Sequence, residues 1–377
     1  MANQLFVPTY RIDECLQEIR QCLEIGWTGL GYKTVEFENA WMKYSGFRHA
    51  HFLNSATAGL HLAVRIFKDR LGWAEGDEII STPLTFVSTN HAILYERLTP
   101  VFADVDDSLC LDPDDVERKI TSRTRAVMFV GMGGNCGAYD RMLQLCRNRG
   151  LVLILDAAHM AGTRCHGRHV GLDADAAVFS YQAVKNLPTA DSGMICFAEA
   201  VDDAKARQLS WLGINKDTYT RTEGKSAYKW MYEVEDLGFK YHGNSIMAAI
   251  GLTQLKYLDH DNAYRRQVAR WYDDAFHGHP AIETVRISEH CESSHHLYPI
   301  LVRNRDPLIL ALNGADIYPG VHYRDNTHYA MYRHLEGSCP AARQKSERLL
   351  SLPLHLRLSH NDVAYIATKV IEYSAVQ

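Results

Sequence analysis

The sequence predicts an α/β fold, a mostly parallel central sheet sandwiched by helices and followed by a smaller C-terminal α+β unit. Two observations carry this expectation. From residue 49 to about 200, short apolar runs alternate with amphipathic helical segments, the pattern of β–α crossovers that lay strands parallel. The runs themselves, such as LVLIL, do not alternate polar with apolar residues, as expected for strands buried on both faces. At 377 residues and 46% hydrophobic, the chain also carries more apolar material than one core usually accommodates. The expected division is a large domain over residues 1–250 and a small one over 251–377, entered through a long helix.

In chain order, IDECLQEIRQCLEIG reads as a helix and GWTGLGYK as a Trp/Gly loop. The strand HAHFL runs into a helix in which Leu60, Val64, Phe67 and Leu71 follow helical spacing. DEIIS, a helix from about Val87 to Glu96, PVFADVD and AVMFV come next. In YDRMLQLCRNRG, Asp140 is the expected N-cap and Gly150 the residue that ends the helix. LVLILD, AAVFSY and MICFA complete the strands. VDDAKARQLSWLG reads as a helix, NKDTYTRTEGKSAYKW as an exposed loop, and SIMAAIGLTQLKYLDHDNAYRRQVARWYDDAF as one long helix between domains. The rest reads as strand HLYPILV, helix DPLILALNGA, strand YPGVHYR, helix AARQKSERLLS and a last helix, HNDVAYIATKVIEYSA.

Composition narrows the function. A formal charge of −5 gives no electrostatic reason to bind nucleic acid. No run of about 18 apolar residues appears, so no membrane span is expected. MANQLFVPTYRIDE lacks an apolar signal core, and nine scattered cysteines without a CxxC pair read as reduced thiols, so a cytoplasmic protein is expected. Cys165, His166 and His169 cluster, as do His290, Cys291, His295 and His296; neither group has tetrahedral zinc spacing, so no metal is expected.

Ligands of an open parallel sheet bind beyond the carboxyl ends of its strands, and reactive groups fall there. Ser55–Gly59 (SATAG) stands where a strand becomes a helix; small side chains leave N–H groups open to an anion, although an ordinary turn reads the same way. Asp156 ends the run LVLILD, where a buried carboxylate needs a partner, either a protonated ring nitrogen or the start of a helix over AAHMAG. Lys185 lies just beyond AAVFS, flanked by Ser180, Asn186 and Thr189; a lysine lowered by burial forms Schiff bases, whereas most lysines are solvated.

Longer stretches add to this. They are GWTGLG, NSATAGLHLA, GDEIISTPLTFVSTNHAILYERLTPVFADVD, DAAHMAGTRCHGRHVG, VFSYQAVKNLPTADSGMI, LGFKYHGNSIMAAIGLTQL, PGVHYR and ERLLSLPLH. In order and spacing they resemble, over nearly the full length, the DegT/DnrJ/EryC1/StrS family of pyridoxal-phosphate-dependent sugar aminotransferases. The resemblance implies the type I, aspartate-aminotransferase-like fold of pyridoxal phosphate enzymes. It implies a homodimer with shared active sites and transfer of an amino group from L-glutamate, leaving 2-oxoglutarate, to a nucleotide-linked keto-sugar.

Residue by residue, it implies that Lys185 holds the cofactor as a Schiff base and shuttles the proton. Asp156 would pair with the pyridinium nitrogen, Phe86 stack on the ring and His159 stand beside the ring hydroxyl. Backbone at Ala56 and Thr57, with the Ser180 hydroxyl, would hold the phosphate, completed from the partner subunit by His242 or Asn244. Trp27, Thr28, His322, Tyr323 and Arg324 are candidates for substrate contact. The chain departs from the family at Gln182, where the family has His, and at Asp191-Ser192-Gly193, where it has Glu-Gly-Gly. Relatives with histidine in place of the lysine are sugar dehydratases, so Lys185 favours transamination. A keto-cyclitol acceptor, a sugar dehydratase and a cofactor-bound regulator are the rival readings.

Overall fold

The computed structural model describes residues 2–215 and 232–375. At its centre lie seven strands: β1 (His49–Leu53), β2 (Glu78–Ser81), β3 (Thr99–Phe102), β4 (Thr124–Val130), β5 (Val152–Asp156), β6 (Ala176–Ser180) and β7 (Gly193–Phe197). They stand in the order β1-β7-β6-β5-β4-β2-β3. All run parallel except β7, which is antiparallel to both of its neighbours. Successive residues of β6 feed opposite layers. Ala177 and Phe179 join the core around Phe37, Trp41 and Tyr181, while Ala176 and Val178 join the core around Leu60, Val64 and Phe67. Burial on both faces is why these runs show no polar alternation.

The helices around the sheet are α1 (Ile12–Ile25), α2 (Tyr32–Ser45), α3 (Ala56–Leu71), α4 (Val87–Tyr95), α5 (Pro113–Lys119), α6 (Tyr139–Arg149) and α7 (Ala200–Ser210). Helix α3 has a local cause at each end: the Ser55 side chain accepts the Ala58 N–H at 3.1 Å, and Gly72 ends the helix at φ 67. Two helices, α2 and α5, were not expected. The first starts directly behind the glycines of the Trp/Gly loop and is held by tertiary burial of Phe37 and Trp41. Asp140 is not an N-cap; Ala138 holds that position, and Asp140 turns its carboxylate to the His166 ring at 2.6 Å. Gly150 does end α6, at φ 64. No helix forms over AAHMAG, where Asp156 accepts the Ala158 N–H at 3.1 Å and the chain turns. Apart from Asn215, the polar stretch expected as a loop lies outside the described residues.

The long helix is two, α8 (Ser245–Leu255) and α9 (Leu258–Phe276), joined by a turn at Lys256–Tyr257. No proline or glycine stands at the break. Tertiary contacts hold it instead. The Tyr257 hydroxyl donates to Glu14 at 2.5 Å, and the Arg11 guanidinium lies 4.2 Å from the Tyr257 ring while gripping Asp261 with two bonds of 2.6 Å.

Beyond α9, strands β8 (Ile282–Thr284), β9 (Tyr298–Val302) and β10 (Leu349–Leu352) form an antiparallel sheet. Helices α10 (Arg305–Gly314), α11 (Pro340–Arg348) and α12 (His360–Ala375) accompany it. A third core gathers Tyr272 and Phe276 of α9 with Ile300, Leu312 and Ile366. Two expectations are corrected here. Only Ile317–Tyr318 is a strand, pairing in parallel with Asn3–Gln4, and the following residues are irregular. Helix α11 stops at Arg348 because Leu349–Ser351 pair with β9, where burial of both leucines outweighs their helical propensity. Among the described residues, no helix is long and apolar enough to cross a membrane.

The Arg11–Asp261 pair ties the N-terminal segment to α9, and Asp261 is only 4% exposed. Arg11→Leu is expected to lower stability by roughly 3 kcal/mol, because it strands that carboxylate. Arg11→Lys should recover only part, having lost the two-pronged geometry. Urea unfolding of the three proteins measures both differences.

Candidate active site

A cleft of about 440 Å³ opens at the carboxyl ends of β5 and β6, beside the first turn of α3. Asp156, the last residue of β5, is 4% exposed. Its two carboxylate oxygens are held separately, one by the Thr89 hydroxyl at 2.8 Å and the other by the Ala158 N–H at 3.1 Å. Burial raises its pKa, opposed by those two bonds and by the Lys185 charge. Lys185 follows β6 in a turn closed by its own N–H to the Gln182 carbonyl at 2.8 Å. Desolvation pushes its amine down from 10.5 to about 8, against the pull of Asp156. The neighbouring Asn186 fixes the backbone there. Its amide donates to Asn262 at 2.8 Å and to the Ser294 carbonyl at 2.7 Å, and its oxygen faces His296 Nδ1 at 3.1 Å.

Three histidines stand around the amine, and burial drives each towards the neutral form. His159 and His296 fall well below the usual imidazole range and His322 falls to about 4, the Lys185 charge adding to each. The His159 tautomer follows from its partners. Nδ1 accepts the Gly133 N–H at 3.2 Å, so the proton sits on Nε2, which faces the Tyr323 hydroxyl at 3.0 Å. Phe86, 58% exposed, stands at the mouth with its ring 6.1 Å from the Tyr323 ring.

Ala56 and Thr57 open α3 at the floor of the cleft. Gly193, the first residue of β7, passes beneath them so closely that a Cβ would lie 2.6 Å from the Ala56 nitrogen and 2.8 Å from the Phe179 carbonyl oxygen. Only glycine leaves the helix start where it is. Of the two departures from the family, Gln182 accepts the Val184 N–H at 3.1 Å and Ser192 bonds Thr189 at 2.7 Å, so both side chains are engaged in holding the turn around Lys185.

The comparisons with known proteins cover the whole of this arrangement. A model of the DegT/DnrJ/EryC1/StrS aminotransferase family matches residues 10–371. The chain belongs to that family. Its chemistry is therefore pyridoxal-phosphate-dependent amino transfer on a sugar, and its fold is the type I fold of such enzymes. It is 36% identical to the spore coat polysaccharide biosynthesis protein SpsC of Bacillus subtilis, over 93% of this chain and 92% of that one. Helicobacter pylori PseC, an aminotransferase involved in the biosynthesis of pseudoaminic acid, superposes with a TM-score of 0.92 at 28% identity, both chains fully covered. The aminotransferase TlmJ of Streptoalloteichus hindustanus superposes with a TM-score of 0.91 at 30% identity, again over both whole chains.

Pyridoxal phosphate fits these residues: a desolvated amine with no hydrogen bond to the described residues, a buried carboxylate whose charge acts on it and an open helix start for the phosphate. Ala56, Thr57, Phe86, Asp156, His159, Ser180, Lys185, His322 and Tyr323 all line the cleft. Trp27, Thr28, His242, Asn244 and Arg324 do not. The Trp27 indole donates to the Leu30 carbonyl at 2.7 Å, Asn244 caps α8 through the Met247 N–H at 3.0 Å, and exposed Arg324 lies 5.5 Å from the Tyr329 ring. Thr28 and Gly29 carbonyls accept the Ser245 N–H, so the Trp27 loop and the His242–Asn244 turn form one surface. Sequence reasoning missed Thr89, His296 and Phe6, which stacks on His296 at 5.3 Å. Thr89 lies four residues past Thr85, whose hydroxyl bonds it at 2.8 Å, but nothing in that spacing points across to β5.

Two outcomes follow from this geometry. In cofactor-free protein the half-buried, desolvated Lys185 ammonium is a cost below pH 8, since folded and unfolded states are then both protonated and only the folded one is desolvated. Between pH 8 and 10.5 the unfolded state binds more protons, so that cost fades as pH rises. Lys185→Met should therefore raise the melting temperature at pH 7, with a gain that shrinks above pH 8 and vanishes beyond 10.5. Gly193→Ala should weaken pyridoxal phosphate binding about tenfold or more, read by absorbance titration, because displaced N–H groups lose about 1.4 kcal/mol or more of phosphate contact.

Proposed function

We propose that the chain transfers an amino group from L-glutamate to a keto-sugar carried on a nucleotide, in the cytoplasm, as a homodimer with shared clefts. The amino-sugar would serve polysaccharide, glycan or natural-product assembly. The observation that carries the reading is the desolvated Lys185 amine facing a fixed, buried Asp156 across a cleft floored by an open helix start.

Pyridoxal phosphate, when bound, supplies an electron sink for the charge left when carbon loses a proton. Lys185 moves that proton; an amine lowered to about 8 gives and takes protons near neutral pH far more readily than one at 10.5. Asp156 would hold the ring nitrogen, with Thr89 and Ala158 keeping the carboxylate in place. Phe86 would cover a ring face and His159, neutral and hydrogen-bonded to Tyr323, would stand at the ring hydroxyl. Ala56 and Thr57 N–H groups, with the Ser180 hydroxyl, would take the phosphate.

His242 and Asn244 lie outside their own chain's cleft, which supports a role in the partner's. Trp27 and Thr28 travel with them on the same surface. Helix α1 supports the dimer as well, since Ile12, Leu16 and Leu23 fall on one face and are each more than half exposed. His322 and Tyr323 in the cleft, and Arg324 at the surface beyond it, are the residues proposed to meet the sugar nucleotide. The names of SpsC, a polysaccharide biosynthesis protein, and PseC, an aminotransferase of pseudoaminic acid biosynthesis, support the coarser reading of a sugar acceptor.

The test incubates holoenzyme with L-glutamate and a panel of nucleotide-linked keto-sugars and keto-cyclitols, followed by mass spectrometry. One aminated nucleotide sugar per 2-oxoglutarate released is expected, and none from Lys185→Ala. Amination of cyclitols alone, loss of water without amination, or no turnover with any donor would each defeat the reading.

A further inference from the structure

Away from the cleft, the chain leaving β5 forms a small hairpin, Arg164–Cys165 against Arg168–His169. Its tip residues, His166 and Gly167, are both left-handed, at φ 50 and 75. Glycine adopts that conformation freely, whereas in a residue with a Cβ it is a strain that persists only when the surroundings hold it. Here they do. The His166 N–H donates to the His290 carbonyl at 3.0 Å, the His290 ring lies 4.4 Å from the His166 ring, and His166 Nε2 meets an Asp140 carboxylate oxygen at 2.6 Å. Cys165 is half-buried next to it, directly opposite Cys291 in an antiparallel pair. A carboxylate oxygen of Asp140, the Cys165 sulfur and a ring nitrogen of His166 thereby all lie within 4.8 Å of one another.

We propose that Asp140, Cys165 and His166 form a binding site for a zinc-class divalent cation, separate from the cofactor cleft. One oxygen, one sulfur and one imidazole nitrogen make a donor set suited to a borderline cation and poorly suited to magnesium or calcium. Tetrahedral zinc with bonds of about 2.0–2.3 Å sets its donors roughly 3.3–3.8 Å apart, within small rotations of these side chains. Asp140 and His166 are exposed, so the ion enters from solvent and a water takes its fourth position. On binding, the Cys165 thiol gives its proton to solvent, His166 Nε2 likewise releases the proton that it shared with Asp140 while Nδ1 carries the ring's one remaining proton, and the hydrogen bond between the two side chains is exchanged for two metal bonds; no electron moves.

Spacing alone hid this site. His169, the partner the sequence offers, is turned inward with both ring nitrogens engaged, by the Gly162 N–H at 3.3 Å and the Val170 carbonyl at 3.0 Å. The third donor comes instead from the first turn of α6. A filled site would clip the hairpin to that helix.

Holoenzyme is stripped with chelator, dialysed with zinc or magnesium, and analysed for bound metal and thermal unfolding. The expected result is one zinc per chain with a higher melting temperature, no retained magnesium, and unchanged turnover. Cys165→Ser and His166→Ala should retain no zinc and show no shift, while unfolding without zinc like the parent. Should Cys165→Ser misfold, the exposed His166→Ala decides. Absence of zinc from the parent protein, or equal retention by His166→Ala, overturns the proposal.

Discussion

Two opposite charges drawn out of water at the ends of adjacent parallel strands set the terms for the rest of this molecule. Asp156 closes β5 and Lys185 follows β6, and each is desolvated enough to move its proton affinity towards neutrality. Isolated, either charge would be expensive. They make no direct ion pair; the space between them is the cleft, and each is fixed from behind. Thr89 and the Ala158 N–H hold the carboxylate, and Asn186, pinned by Asn262 and Ser294, holds the residue after the lysine.

The supports come from distant parts of the chain, which couples the site to the packing of the whole fold. The Gly133 N–H, the His159 ring and the Tyr323 hydroxyl form a short polar relay from the central sheet to the C-terminal unit. His296 stands between Asn186 and Phe6. Because His159, His296 and His322 all stay neutral, Lys185 is left as the one cation among the described residues that line the cleft. An anionic ligand is favoured both by that charge and by the helix start at Ala56.

Side-chain size contributes as much as charge. Gly193 lets β7 run under the first turn of α3, so the cradle depends on an absent side chain in the strand below it. Ser192, with Thr189, and Gln182, through the Val184 N–H, hold the lysine turn by hydroxyl and amide contacts of their own. The two departures from the family pattern thus keep the turn in place by different bonds.

What the sequence determined by itself was local or contiguous: the strand runs, the α3 start at SATAG, the carboxylate ending β5 and the lysine beyond β6. Each rests on spacing and burial pattern within a few residues, and contiguous motifs were enough to resemble a family. Tertiary structure decided whatever depended on pairing at a distance. The break between α8 and α9 has no breaker residue and follows from Arg11 and Glu14. Leu349–Ser351 became a strand because β9 was beside it. Asp140 left its expected cap for the His166 ring, Thr89 reached the Asp156 carboxylate from behind, and His296 and Phe6 joined the cleft, all from segments with no shared pattern. The physical reason is the same throughout. Periodicity reports which face of an element is buried, but the partner it is buried against is chosen only when the chain closes on itself.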